Sequence, residues 1–441
     1  MTARDPFMPT DKPSTLNGAV RDVDTLLSVD ALSALMRSTW TWDDRALRRD
    51  LSQLLVRVDA ARLVGATGNI DEAIASALHF EARAVASDFV ATVLGPKLVA
   101  DTGNPLRGQF LQLATDQADF SRRAYAARGA VRANSDGYFA RHVDGIDYRP
   151  EADWSALVTK EGSTGLGAAT RAYGHALADS VFFANKALAW QAASAVPRCD
   201  VATGYAARIE ADELTATLAA AEETGAWDPV LVKTRARHTA DGWTISGQKH
   251  YVLGADSADV IFVVARSTAG PSLFAVDAGS NGLTVNAHDV IDPTRPLFGI
   301  TFDSTPATLL GTEGSGGKLM WTLIDRASTA LAAEQVGLIE KAIGVLRDTG
   351  DRNDHRVTEV VLAHAAAHAL WQRALTDASP ESAAAAHVGC SSAAVRVTTA
   401  VAEICDDDSS TTPLVLRALS GSLLFGGPSL SHERLLDRLG I

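Results

Sequence analysis

The sequence predicts an α+β protein in which mostly α-helical N- and C-terminal domains flank a small antiparallel β-barrel or sandwich domain. Apolar residues recur with a period of 3.6 over long stretches at both ends of the chain, and in the middle the period changes to two. Short segments rich in Gly, Asp and Pro separate the middle segments, so consecutive strands are expected to pair. With 441 residues, the chain is long enough to bury several cores.

Helices are expected on both sides of the middle block. Asp44 and Asp71 stand where N-caps or first-turn acids belong. The region from 153 to 219 is also helical in pattern, with breaks at the glycine-rich turn 162–167 and at Pro197. The remaining expected helices cover residues 23–37, 44–63, 70–93, 108–132, 319–348, 356–377, 381–405 and 413–439. The predicted division is a flexible tail at 1–18, helical segments at 19–105 and 106–220, a β-domain at 221–311 and a helical domain at 312–441.

The strands of the middle block are predicted from four short apolar or alternating segments between residues 229 and 310. They read WTISGQKHYVL, VIFVVARS, SLFAVDA and LFGITFD, and they are rich in β-branched and aromatic side chains. Turn signals such as Asp241-Gly242 and Asp292-Pro293 lie between them. We expect an antiparallel meander that closes as a small barrel or sandwich, because closure hides the strand edges.

Charge and composition exclude several classes of function. The chain has 40 Lys and Arg against 53 Asp and Glu, and a net charge of −13 argues against a nucleic-acid binder. Its content of 46% hydrophobic and 21% charged residues is that of a folded protein, not a disordered one. The most apolar stretch, 176–196, carries charged residues, so no membrane span is expected.

The cysteines and the N-terminus indicate a cytoplasmic protein. Cys199, Cys390 and Cys405 form neither a CxxC pair nor an even framework, so we expect buried free thiols in a reducing compartment. The first fifteen residues contain no apolar segment of the kind found in a secretory signal.

Three motifs favour a structural interpretation over a functional one. The glycine-rich segment 162–170 contains a dinucleotide-like spacing, but no strand precedes it, so we interpret it as a turn between helices. The segment 311–318 lacks a Ser or Thr after its lysine and is expected to be a connector. His364 and His368 share a helix face, yet no third ligand is evident, and we predict no metal site.

The junction between the helical region and the first strand is the best candidate for a ligand site. It reads EETGAWDP from Glu222 to Pro229 and combines an acidic pair, a glycine and an aromatic residue. Loops of this kind between two domains are where ligands usually bind.

Three segments together resemble the acyl-CoA dehydrogenase family, most closely its actinobacterial branch. They are ELTATLAAAEETGAWDP at 213–229, DGWTISGQKHYVLGADSADVIFVVAR at 241–266 and DRASTALAAEQVG at 325–337. The resemblance covers residues 110–441 and includes the C-terminal LRALSGSLLFGGPSLSHERLLDRLG. It implies an FAD-dependent enzyme that removes two hydrogens from the α and β carbons of an acyl-CoA thioester. A carboxylate would take the α-proton and flavin N5 the hydride.

The resemblance also implies which residues contact the flavin. The loop that touches the isoalloxazine corresponds to the junction, and the strand whose aromatic residue packs along it corresponds to Lys249–Leu253. Tyr251 stands where the family has Trp and keeps a flat apolar face. Leu253 replaces a hydroxyl residue, so one hydrogen bond to the flavin is lost. The implied contacts are Glu222, Glu223, Thr224, Gly225, Trp227, Tyr251, Val252 and Leu253.

The C-terminal region departs from the family's pattern. The family's glycine-rich His-Gly-Gly-x-Gly loop corresponds to the bulky, acidic segment 401–410 of this chain. Of the family's Arg-x-Gln-Phe-Gly motif, this chain keeps only Arg347 and Arg352 as charged remnants. Ser409 occupies the position of the branch's catalytic Glu. Asp408 is the remaining candidate base, although a shift of one residue on a helix turns a side chain by about 100°.

These departures leave alternatives to a complete dehydrogenase. One is a non-catalytic partner subunit of a heteromeric acyl-CoA dehydrogenase, and another is a flavin oxidase or monooxygenase on the same fold. Residues 48–65 and 72–103 together resemble the family's C-terminal helical pair, as in fused or heteromeric dehydrogenases of sterol and lipid breakdown. The resemblance therefore implies a homodimer or a heteromer with another such subunit. A CoA site must be locally basic, and Lys233, Arg235 and Arg237 are candidates unless they only solvate a sheet face.

Overall fold

The structure is a computed structural model that describes residues 23–66, 71–100, 102–143, 148, 154–179, 181–405 and 408–441. The tail predicted at 1–18 lies outside these residues. The chain divides into two compact units. A helical unit comprises Met1–Asp144, Asn353–Leu370 and His432–Ile441, and a β-containing unit comprises Gly145–Arg352 and Trp371–Ser431. The domain boundaries predicted near residues 106, 221 and 312 stay a prediction.

The helical unit is built around an apolar core. Asp44 and Asp71 accept hydrogen bonds from the main-chain N–H groups of Ala46 and Ala73, at 2.8 and 2.9 Å, which confirms the N-caps expected from the sequence. Leu32, Leu54, Phe89, Val90, Phe110 and Leu113 are among the core residues. Its helices are α1 Val23–Leu26, α2 Val29–Ser38, α3 Arg45–Ala66, α4 Glu72–Leu94, α5 Arg107–Thr115, α6 Gln117–Ala133 and α7 Ser135–His142.

The β-containing unit begins with helices. The predicted turn between two helices lies at Gly162 but is shorter than expected, because residues 163–167 already belong to the second helix. Gly165 lets this helix approach the preceding one closely: a Cβ there would lie 2.3 Å from the carbonyl oxygen of Leu157. Residues 216–219, expected to be helical, form a strand. The helical elements are α8 Trp154–Glu161, α9 Ser163–Ala176, the π-helix Phe183–Trp190, α10 Gln191–Ser194 and α11 Asp200–Glu210.

The strands of this unit close into a barrel, as predicted. They are β1 Ala216–Ala219, β2 Arg235–Thr239, β3 Gly242–Leu253, β4 Val260–Ser267, β5 Gly270–Asp277, β6 Leu283–Ala287 and β7 Leu297–Leu310. In the described part of the chain, neighbouring strands pair in the order β4, β2, β3, β7 and β5. Strand β5 also pairs with β4, and this pairing closes the barrel. The meander is not purely antiparallel, because β1 and β2 pair with β4 in parallel. Ile245, Ile261, Val263, Phe274 and Ile300 fill its interior.

The C-terminal helices are α12 Gly316–Thr349, α13 Val357–Asp377, α14 Pro380–Cys405, α15 Asp408–Ser422 and α16 Gly427–Arg438. Helices α9 and α12 cross at glycines. A Cβ on Gly337 would lie 1.9 Å from the carbonyl oxygen of Arg171, and one on Gly174 would lie 2.1 Å from that of Glu334. This contact brings Arg171 to the fully buried Glu340, with Nε 2.8 Å from the carboxylate.

One helix of the described residues, α14, is long and apolar enough to cross a membrane by length and composition. In the structure, 56% of its most apolar window is buried against the rest of the protein. Core helices pass the same test, so the finding is weak evidence for a membrane span.

Candidate functional site

A cavity of about 430 Å³ lies where the β-barrel meets the C-terminal helices. Its walls come from the junction after β1, the end of β3, the loop between β6 and β7, and the kink between α15 and α16. We call it the aromatic cavity, because Trp227, Tyr251 and Phe425 line it. The other lining residues are Leu188, Leu218, Ala221, Thr224, Gly225, Leu253, Asp289, Val290, Ile291, Asp292, Arg295, Leu297, Ser420, Leu423, Leu424, Gly426 and Gly427.

The structure brings five of the eight implied flavin-contact residues to this cavity: Thr224, Gly225, Trp227, Tyr251 and Leu253. The other three do not line it. Glu222 and Glu223 line a separate polar crevice of about 340 Å³. Val252 belongs to the barrel core, because successive side chains of a strand point to opposite faces.

Aromatic rings form two sides of the cavity. The rings of Trp227 and Phe425 meet edge to face, with centroids 4.9 Å apart. Tyr251 stands at the rim, 44% exposed, and its hydroxyl donates to the carbonyl oxygen of Glu223 at 3.1 Å. Gly225 passes close to this ring with φ +73°, a conformation that favours glycine. Tyr251 itself has φ +57°, which is strained for a non-glycine residue.

Glu222 fixes the shape of the junction instead of facing the cavity. Its carboxylate accepts hydrogen bonds from the main-chain N–H groups of Lys233 and Thr234, and from the Lys249 ammonium at 3.0 Å. Burial lowers the pKa of Lys249 to about 8, against the opposing effect of Glu222. Burial raises the pKa of Glu222, but Lys249 and the main-chain donors outweigh it, so the pKa falls below its ordinary value.

Behind the aromatic cavity lies a buried charge cluster that sequence reasoning missed. The carboxylate of Glu334 pairs with the guanidinium groups of both Arg295 and Arg417. Arg417 also donates to the carbonyl oxygens of Thr294 and Ala178, at 2.7 and 2.8 Å. The only signal in the sequence was the Asp292-Pro-Thr-Arg295 turn, and nothing in the pattern linked it to residues 39 and 122 positions away.

Burial and pairing shift the ionisation of the cluster. Burial lowers the pKa of Arg295 to about 10, with Glu334 opposing the change. Burial raises the pKa of Glu334, but Arg295 and then Arg417 outweigh it, so the pKa falls below its ordinary value. Glu334 therefore stays ionised at neutral pH and holds the two arginines in place.

Among the side chains that the structure describes, the carboxylates on the wall of the aromatic cavity are Asp289 and Asp292. Asp289 is exposed. Asp292 is buried, and its oxygens accept from the main-chain N–H of Thr294 at 3.0 Å and from the hydroxyl of Ser420 at 2.5 Å. Asp408, the predicted base, is the first residue of α15, and its side chain lies outside the described part of the structure.

A second cavity, of about 420 Å³, lies among α9, the π-helix, α12 and the start of α14. We call it the Arg326 cavity, because the exposed Arg326 lines it together with the N-terminal residue of α9 and Ser379, which precedes α14. Hydroxyl groups are frequent in its wall, which includes Ser163, Ser194, Thr322, Thr329 and Ser379. Of the three cations proposed from the sequence, Lys233 lines the polar crevice, and Arg235 and Arg237 are exposed on β2.

The two histidines considered as metal ligands lie in the helical unit. Nδ1 of His364 is 2.8 Å from the hydroxyl of Tyr138. In the described ranges, no cluster of three or more His, Cys, Asp or Glu side chains is arranged to hold a metal ion.

Comparison with known proteins gives matches of two kinds. Residues 217–300 match the family model for the acyl-CoA dehydrogenase middle domain. Cyclohex-1-ene-1-carbonyl-CoA dehydrogenase from Geobacter metallireducens is 29% identical over 150 residues, 32% of this chain and 40% of that protein. The protein of the same name from Syntrophus aciditrophicus is 27% identical over 150 residues, 32% of this chain and 36% of its own length. The match therefore spans less than half the length of these curated relatives.

Solved structures share the fold. Butyryl-CoA dehydrogenase from Megasphaera elsdenii has a TM-score of 0.59 at 16% identity, covering 70% of this chain and 96% of that chain. The Tcur3481-Tcur3483 steroid ACAD has a TM-score of 0.57 at 18% identity, and the match covers 71% of this chain and 97% of that chain. A glutaryl-CoA dehydrogenase from Mycobacterium smegmatis in complex with FADH2 has a TM-score of 0.58 at 14% identity, and the match covers 70% of this chain and 92% of that chain. The middle part of the chain therefore matches the acyl-CoA dehydrogenase middle domain, and about 70% of the chain has the fold of these solved structures.

Proposed function

We propose that this protein binds FAD and an acyl-CoA thioester and carries out the α,β-dehydrogenation of the acyl group in lipid or sterol side-chain breakdown. The single observation that carries the proposal is the aromatic cavity, where five residues implied by the family resemblance meet. Relatives described as acyl-CoA dehydrogenases, one of them solved with FADH2 and another described as a steroid ACAD, support the choice of cofactor and substrate class.

The residues of the aromatic cavity fit the tricyclic ring of a flavin. A volume of about 430 Å³ lies within the roughly 300 to 1,000 Å³ of small-molecule sites, and most of the wall is apolar or aromatic. Gly225 keeps the junction loop close to the Tyr251 ring without a side chain between them. Arg295 adds a polar group to the wall. When bound, the flavin would supply the acceptor for the hydride that leaves the β-carbon.

The chain's own residues would bind and orient the two molecules. Trp227 and Phe425, whose rings meet edge to face, form an apolar side of the cavity against which a flat ligand would pack. The Glu222–Lys249 pair fixes the main chain of the junction, so that Thr224 and Gly225 keep their position at the cavity. Both effects hold a flat ligand in one orientation before any chemistry.

The Arg326 cavity would hold the anionic end of the CoA thioester. The protein carries a net charge of −13, so an anionic ligand needs a locally positive site. Arg326 supplies such a charge next to Asp325 in the same wall, and the first residues of α9 and α14 also line the cavity, where helix dipoles favour an anion.

The wall of the aromatic cavity favours a second candidate function, that of a non-catalytic partner subunit in a heteromeric dehydrogenase. Asp292 has both carboxylate oxygens engaged, and Asp289 is exposed. Loss of a positioned base typically lowers a rate by roughly 10²- to 10⁴-fold. In a heteromer of this kind, the chain would support a flavin site whose base stands in another subunit.

Absorption spectroscopy tests the proposal. The protein is purified alone and with a co-expressed family member, FAD is added, and the flavin band is followed after anaerobic addition of butyryl-CoA or a steroid-side-chain CoA thioester. Bleaching by the protein alone supports the dehydrogenase. Bleaching only with the partner supports the non-catalytic subunit, and hydrogen peroxide released in air indicates an oxidase. Protein that stays colourless with FAD and partner contradicts the proposal.

A matched pair of tyrosine variants locates the flavin. Tyr251→Ala removes an aromatic face from the cavity and is expected to raise the Kd for FAD about 5-fold, since one aromatic contact contributes roughly 1 kcal/mol. Tyr125→Ala removes a tyrosine that is 82% exposed in the helical unit and should leave the Kd unchanged. Equal Kd values for both variants would place the flavin elsewhere.

A further inference from the structure

Arg295 and Arg417 share one carboxylate but differ in what their other N–H groups contact. Both are 1% exposed, and both pair with Glu334. Arg417 directs its remaining donors to Thr294 and Ala178. Nε and Nη1 of Arg295 have no acceptor in the part of the chain that the structure describes, although this residue stands in the wall of the aromatic cavity.

Such donors are rare in a folded core. Most buried polar groups form a hydrogen bond, and a buried charged donor without an acceptor lowers stability. Glu334 is paired with Arg417 as well as with Arg295, and the buried carboxylate of Asp292 lies near Arg295 without a hydrogen bond to its guanidinium in the described part of the chain. Arg295 therefore combines a positive charge, a fixed position and two unused donors beside a cavity of ligand size.

We propose that Arg295 is a ligand-binding residue whose Nε–H and Nη1–H groups donate to a carbonyl oxygen of the molecule held in the aromatic cavity. The chemistry is a forked, charge-assisted hydrogen bond to one or two oxygen acceptors. Two molecules of the proposed function carry such an oxygen: the pyrimidine end of the flavin and the thioester of the acyl-CoA. The inference rests on the proposed function, and the experiment separates the two sources.

The surrounding residues explain why Arg295 keeps its position without a ligand. Glu334 holds Nη2, and the main-chain N–H of Arg295 donates to the carbonyl oxygen of Asp292 at 3.1 Å. Asp292 is in turn anchored by Ser420 on α15. The guanidinium is thus fixed from the β6–β7 loop, α12 and α15, and because its Nε and Nη1 are buried, a ligand reaches them only with a small movement of the cavity wall.

The test compares Arg295→Met with Arg417→Met. The Kd for FAD is measured by fluorescence, and the Kd for butyryl-CoA by calorimetry on the FAD-loaded protein. Arg295→Met should fold, because Arg417 remains on Glu334. We expect it to raise one of the two Kd values by about 10-fold or more, as expected for loss of a charge-assisted hydrogen bond. A change in the FAD value assigns the flavin oxygen, and a change in the butyryl-CoA value assigns the thioester.

The controls keep the outcome clear. Arg417→Met removes four hydrogen bonds, to Glu334, Thr294 and Ala178, and should lower the melting temperature, while both Kd values of the folded protein stay within about 2-fold. Arg295→Lys keeps the positive charge but loses the paired N–H donors of the guanidinium. The Kd that Arg295→Met raises should therefore have an intermediate value in Arg295→Lys. Unchanged Kd values in folded Arg295→Met, or in Arg295→Lys if the first variant does not fold, overturn the inference alone. Wild-type protein that binds neither molecule overturns the proposed function as well.

Discussion

The aromatic cavity and the Arg326 cavity have nearly the same volume, about 430 and 420 Å³, yet their walls are opposite in chemistry. The first takes its walls from strand ends and loops that bring Trp227, Tyr251 and Phe425 together. The second takes its walls from helices whose N-termini and hydroxyl groups face it. The two sites therefore differ in the elements that form them and not in volume. The strand ends form a flat apolar cavity, and the helix N-termini favour binding of an anion.

Helix α12 connects the two cavities. Thr322, Arg326 and Thr329 on it line the Arg326 cavity, and one turn later Glu334 holds Arg295 in the wall of the aromatic cavity. A change in the middle of this helix should impair both sites, and a change in one wall should impair one site. The following three predictions use this difference, in order of decreasing expected effect.

Replacement of Glu334 by Ala should have the largest effect. The variant leaves Arg295 and Arg417 buried without a counter-charge, and breaking a buried pair in this way typically lowers the free energy of unfolding by about 3 to 5 kcal/mol. Urea denaturation measures the change. Asp377→Ala, which breaks the i,i+4 pair with Arg373 on the surface, is the control and should cost less than about 0.5 kcal/mol. Equal effects of the two variants would show that the cluster does not stabilise the fold.

The α9–α12 crossing should tolerate no added methyl group. Gly337→Ala places a Cβ against the main chain of Arg171 and should lower the free energy of unfolding by about 2 to 3 kcal/mol. Gly344→Ala on the same helix meets nothing within 4 Å and should raise it by about 0.5 to 1 kcal/mol. Thermal unfolding of both variants gives the comparison. A stable Gly337→Ala protein would contradict the direct backbone contact.

Arg326→Met should have the smallest effect and should impair one cavity only. Because Arg326 is exposed, its loss should raise the Kd for butyryl-CoA by about 2- to 5-fold at low salt and by less at high salt. The Kd for FAD should not change. Arg237→Met, on the exposed face of β2, is the matched control from the earlier set of candidate cations. A larger effect of Arg237→Met on butyryl-CoA binding would move the CoA site to the barrel.

Much of the fold was predictable, because periodicity is a local property of the sequence. The change of period near residue 229 placed the barrel, and Asp44 and Asp71 marked helix starts that the structure confirms. The errors came from close packing. The predicted turn at 162–167 is confined to Gly162, and Gly165 instead permits a close contact between two helices. Residues 216–219 looked helical because they are rich in Ala, and pairing with β4 made them a strand.

The candidate site was predictable only in part, for a related reason. Motif resemblance pointed to the junction and to β3, and Trp227, Tyr251 and Leu253 do line one cavity. Resemblance did not show that Glu222 points away from that cavity to hold Lys249, or that Val252 faces the barrel core. The direction of a side chain depends on bulges and register, such as the irregularity between Lys249 and Val252.

The sequence by itself determined the order of helices and barrel, the acidic surface and the position of the junction, because each follows from residues that are neighbours along the chain. Only the tertiary structure decided that Arg295, Glu334 and Arg417 form one buried cluster. It also decided that two cavities of similar volume have different walls. These features join residues that are far apart in sequence, and burial then decides which of their polar groups find partners.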